Sequence, residues 1–156
     1  MNGKIVAGGI VLTGVVAGVA MYWLQVHAFY EPAFFAPGAE ILLTPIVGSD
    51  PEAIVVSDVQ GIDADSSPLR FRACFTTPLS LAMLTETYQV YAAAEPTIAP
   101  GWFDCFDAAA IGLALTSGEA LAFLSEAAIH PQVDRVVAVF PDGRAFAWHQ
   151  LKPETE

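Results

Sequence analysis

Hydrophobic positions along the chain change their period several times, and each change marks an element. From Ile5 to Leu24 there are twenty residues without a charged side chain. At about 1.5 Å per residue this run spans roughly 30 Å, the thickness of a bilayer core. It predicts a transmembrane helix. Residues 29–40 (FYEPAFFAPGAE) have two prolines and no clear period, which predicts an extended stalk rich in aromatic rings. Residues 41–151 then alternate between strand-like and helix-like patterns, and residues 152–156 form a polar tail.

Within that domain, Glu40–Val47 is a short apolar run broken by Pro45, an edge strand, and Ala53–Val59 is a strand rich in β-branched residues. Residues 61–68 (GIDADSSP) read as a polar turn. Their acidic spacing is a faint calcium-loop pattern without the required glycine and distant glutamate. Leu69–Phe75 alternates, with Leu69, Phe71, Ala73 and Phe75 toward a core and Arg70, Arg72 and Cys74 opposite. Thr77 as N-cap and Pro78 at the first helical position predict a helix with Leu81, Leu84, Tyr88 and Tyr91 on one stripe. Asp107 caps a second helix, Ala108–Thr116, which Gly118 ends; nearly every side chain in it is apolar, so it should lie buried on a sheet. Glu119–Ser125 reads as a strand, and His130 as a loop residue beside Pro131. Arg135–Phe140 and Arg144–Gln150 flank Pro141-Asp142-Gly143 as a hairpin. The expected fold is α+β, a largely antiparallel sheet with two helices on one side, carried behind the membrane helix.

Charge sharpens the membrane assignment. Lys4 precedes the apolar run and the next basic residue is Arg70, so the positive-inside rule puts the N-terminus in the cytoplasm and the domain outside. Tyr22 and Trp23 suit the far interface. A signal peptide cleaved after Ala28 is the rival reading, but the apolar run is longer than a signal core needs. Gly9, Thr13 and Ala17, and likewise Gly14 and Gly18, recur every four residues, a spacing that lets a second helix approach in lipid.

Beyond residue 28, seventeen acidic residues stand against five basic ones, a formal charge of −12. Such a field repels phosphate backbones and excludes nucleic acid as a partner; a basic protein or a cation remains compatible. Cys74 and Cys105, with thirty residues between them, lie in the exported part, where a disulfide is the default. In the chain-entropy model it would contribute roughly 3.6 kcal/mol.

Candidate chemistry is sparse. No GxSxG elbow, phosphate loop or GxGxxG is present, and His27, His130 and His149 have no ligand spacing, so no cofactor or metal is expected. Arg70 and Arg72 share a strand face, where they would answer local carboxylates or hold an anion or a partner's carboxylate.

Three stretches carry a family resemblance: Ile62–Leu81, Ala99–Ala108 and Asp134–Leu151. With the N-terminal span they resemble an uncharacterised family of small, single-pass membrane-anchored alphaproteobacterial proteins. The resemblance implies no established activity. Members are sometimes labelled histidine kinases, but this sequence has no dimerisation helix, ATP site or lid. The expected function is non-catalytic: an accessory or assembly subunit of an inner-membrane or envelope complex, such as a respiratory one. Its expected partners are membrane lipid and another inner-membrane protein. A ligand-binding or sensing domain around Arg70 and Arg72 is the alternative. The third reading is a hydrolase, which would need His130 or His149 beside a serine and a carboxylate.

Overall fold

A computed structural model describes residues 2–153 and divides the chain into two units, residues 1–30 and 31–156. In the first, α1 (Gly3–Trp23) continues into a π-helical turn, Leu24–Ala28. Together these 26 residues form one helix long and apolar enough to cross a membrane, none of it buried inside its own unit. At the end of α1, His27 stacks on the Trp23 ring at 4.7 Å. The Thr13 hydroxyl donates to the Gly9 carbonyl at 2.8 Å, one turn back along the helix.

The second unit is built on a six-stranded antiparallel sheet: β1 (Glu31–Pro32), β4 (Ser57–Asp63), β5 (Arg72–Thr76), β8 (Arg144–Leu151), β7 (Val133–Val139) and β6 (Leu121–His130), in that spatial order. A separate ribbon pairs β2 (Leu42–Leu43) with β3 (Glu52–Ala53). The class is α+β. The helices, however, lie on opposite faces of the sheet, not on one. On one face α2 (Leu81–Thr87) and the β2–β3 ribbon bury Ile41, Leu43, Ile54 and Leu84 against Phe71, Phe75, Val137 and Val139. On the other, α3 (Ala108–Ser117) sets Ile111 and Ala114 against Phe106, Val136, Phe146 and Trp148. The Leu69–Phe75 alternation therefore holds for Phe71, Ala73 and Phe75, but the opposite face, with Arg72 and Cys74, is a second core.

Several boundaries differ from expectation for identifiable reasons. β4 runs through Gly61-Ile62-Asp63, and the turn starts only at Ala64. Of the anticipated strand 53–59, Val55 is exposed and only its ends pair. Ser80, not Thr77, caps α2, accepting from the Met83 N–H; the buried Thr77 hydroxyl donates instead to the Val55 carbonyl. The helix stops at Thr87, so Tyr91 leaves its stripe and bonds the β6 edge through its N–H to the Ala122 carbonyl. Residues 126–134 form no loop: His130 pairs with Val133 across Pro131-Gln132, where proline followed by a residue at φ +60° makes a tight turn. At the β7–β8 hairpin Gly143 is required, because its φ is +87° and a Cβ there would lie 2.7 Å from the Thr77 carbonyl oxygen.

Residues 29–40 are not wholly a stalk. Glu31 and Pro32 pair with Asp63 and Ile62, the Ala33 N–H donates to Gly61, and Phe35 packs edge-on to Phe71. At Gly61 a Cβ would sit 2.5 Å from the Phe35 ring, so the absent side chain is what lets that ring dock. Both sheet edges are thereby blunted: β1 is two residues long, and residues 89–91 and Thr44 bond along β6.

Candidate functional site

Among the described residues, polar or reactive side chains gather at several places. The first is a row across the sheet at the end of the α2-side core. Arg135 Nε donates to His149 Nε2 at 3.0 Å, and Arg135 Nη1 pairs with Glu126 at 2.8 Å, while its guanidinium lies 4.2 Å from the Phe71 ring centroid. His149 stacks on the same ring at 4.7 Å. Its Nδ1 is 2.7 Å from the Pro68 carbonyl, which can only accept, so Nδ1 carries the proton and Nε2 is the acceptor. Burial, then the neighbouring Arg135 charge, depress the His149 pKa to about 3. Burial also lowers that of Arg135, against the opposing pull of Glu126 and Asp63. Both imidazole nitrogens are engaged, so His149 offers no base to a serine. His130 stands edge-on, 5.9 Å from it. The adjoining hollow of about 500 Å³ is lined by Asp63, Asp65, Ser67, Pro68 and His130. Asp63 accepts the Ala64 N–H and Ser67 the Leu69 N–H, which is turn chemistry. Among the described residues no group of three or more His, Cys, Asp or Glu could hold a metal.

The second place contains the two arginines singled out in the sequence. Arg72 is 4% exposed, and its guanidinium donates to the carbonyls of Thr97, Leu69, Phe71 and Ile98 at 2.6–3.0 Å. Through Thr97 and Ile98, Arg72 fastens the long loop 92–107. Arg70 is half-buried in the turn before β5 and does not share a strand face with it. Gln150 fastens the same loop, accepting from the Glu95 N–H and donating to the Ala93 carbonyl, and the Cys74–Cys105 disulfide closes its far end. No sequence pattern marked Gln150, because main-chain carbonyls and N–H groups carry no residue identity.

The third place is a groove of about 530 Å³ between α3 and the β7–β8 hairpin. Asp107 caps α3 by accepting the Ala109 and Ala110 N–H groups at 3.0 Å, and Gly118 ends it at φ +76°. Ten residues this apolar would suit a buried helix, yet only Ile111 and Ala114 are buried, and Leu113 is 72% exposed. Phe140 and Phe146, edge-to-face at 5.6 Å, form the groove floor with Ile111. Asp107, Glu119 and Arg144 supply charge. Arg144 lies over Phe140 and pairs with Asp142 at 2.7 Å, which holds that carboxyl below its usual pKa.

In α1, Gly9, Gly14 and Gly18 have nothing within 4 Å of where a Cβ would stand. No curated protein and no solved structure matches the sequence. A family model does, over residues 41–156, which is the folded unit from just before β2 onward: the chain belongs to DUF6446, a family of unknown function.

Proposed function

We propose that the chain is a non-catalytic, single-pass inner-membrane protein whose periplasmic domain serves as an accessory or assembly subunit of a larger envelope complex. The observation that carries this reading is the contrast between polar groups engaged within the domain and an apolar surface on its outside. His149, Arg135 and Arg72 are engaged inside the domain, whereas Leu113 and its groove face outward. The lone Lys4 in the first turn of α1, the aromatic residues at its end and the disulfide support a cytoplasmic N-terminus and an oxidising compartment for the domain. A small-ligand sensor built on the two arginines loses Arg72 to the loop, and a hydrolase loses His149 to Pro68 and Arg135.

The test is purification of the tagged full-length chain from native membranes in mild detergent, followed by a native gel and mass spectrometry. Stoichiometric recovery with one defined complex is expected. A monomer or homodimer without a companion overturns the accessory role. Replacing Gly14 and Gly18 by leucine separates the two units' contributions: loss of the companion assigns docking to the helix, retention assigns it to the domain.

A further inference from the structure

We infer that the α3 groove binds an apolar segment of another protein flanked by lysine or arginine. This rests on the accessory reading and names the partner chemistry at its site. The groove has an apolar floor of Ile111, Phe140 and Phe146, with Leu113 standing proud on one wall. Its single cation, Arg144, is neutralised by Asp142 at its own hairpin, which leaves Asp107 and Glu119 to set the sign of the rim. The surrounding domain carries a formal charge of −12. An anionic lipid surface or nucleic acid is repelled by that field. A second copy docked by a two-fold axis through the groove would set the acidic rim of Asp107 and Glu119 against the same rim of its partner, and like charges across an interface cost affinity. A small ligand needs to be largely enclosed, and a wall residue as exposed as Leu113 does not enclose one. A protein segment with apolar anchors and basic flanks meets each of these conditions. The disulfide keeps the groove in shape, since Cys105 lines it and Asp107, two residues on, caps α3.

The test uses the full chain in nanodiscs of zwitterionic lipid, methyl-labelled at isoleucine and leucine. The probes are two synthetic peptides with leucine at helical spacing, one carrying lysine at the remaining positions and the other glutamate. The lysine peptide should shift the Ile111 and Leu113 methyl resonances and bind at least tenfold more tightly than the glutamate peptide. Leu113→Asp, which removes an exposed side chain and should leave the thermal midpoint unchanged, should weaken that binding at least tenfold, and Glu119→Lys several-fold. Equal binding of both peptides overturns the proposal, as does lysine-peptide binding that Leu113→Asp leaves intact. Self-association without peptide that Leu113→Asp abolishes also overturns it, by making a second copy the occupant. If neither peptide binds while one defined complex is still recovered from membranes, the groove chemistry fails and the accessory role stands; if the complex is missing too, both fail.

Discussion

The two faces of the sheet are closed in different ways. On the α2 side, a helix and a two-stranded ribbon lie over Phe71, Phe75, Val137 and Val139; the core is apolar, and the Thr44, Ser125 and Thr77 hydroxyls tie its rim to the carbonyls of Ser125, Leu42 and Val55. On the α3 side, much of the cover is the irregular loop 92–107, which has no ladder of its own. Arg72, Gln150 and a disulfide hold it down. Loops of this length without regular structure are uncommon in small domains. The difference teaches where stability and binding are separated: the sealed face holds the fold together, and the pinned face leaves an apolar groove open beside α3.

The largest effect should come from breaking the sealed face. Leu84 is fully buried in α2, and Leu84→Ala should lower stability by about 2–5 kcal/mol, read by urea denaturation. Leu113→Ala, the same change on the open face, should stay within about 0.5 kcal/mol. Similar losses for both would erase the distinction. Next comes the staple of the pinned face. Replacing both Cys74 and Cys105 by serine should cost about 2–4 kcal/mol. Amide exchange should then rise across residues 92–107 while the β2–β3 ribbon stays protected.

The third effect is set by pH. His149 resists protonation in the folded domain down to about pH 3, while in the unfolded chain it takes a proton near 6.5. The unfolded state therefore binds more protons between those values. The His149 contribution to stability is complete above pH 6.5 and falls as pH drops toward 3, by about 2 kcal/mol at pH 5. Denaturation of the wild type at pH 7.5 and pH 5, set against His149→Gln, isolates it; an equal slope in both would remove His149 as the cause. The smallest effect belongs to the sheet edge. Gly61→Ala should push the Phe35 ring out and speed exchange at the Ala33 amide, with about 1 kcal/mol or less of global change, since a ring tip can swing aside.

What the sequence made legible follows the same division. The β7–β8 hairpin, the Asp107 cap and Gly118 stop of α3, the membrane-length helix and the pairing of the cysteines are written in side chains whose spacing has a local meaning. The role of Arg72 was not, because the loop partners it fastens are carbonyls 25 and 26 residues away that any residue could supply. His130 read as a loop residue beside Pro131 because only the fold shows His130 and Val133 paired across the turn. The groove was hidden by the uniformity of α3. An all-apolar run says bury every side, and only the sheet's shape decides that Ile111 turns inward and Leu113 does not. That surplus of apolar surface, unexplained by packing, is the main pointer to function.

The most direct test of this account places a photo-crosslinking residue at position 113 of the full-length protein in native membranes, and the same residue at position 55, which is 65% exposed. The account predicts one discrete protein adduct at 113 under illumination and none at 55. No adduct at 113, or the same adducts at both positions, would contradict it.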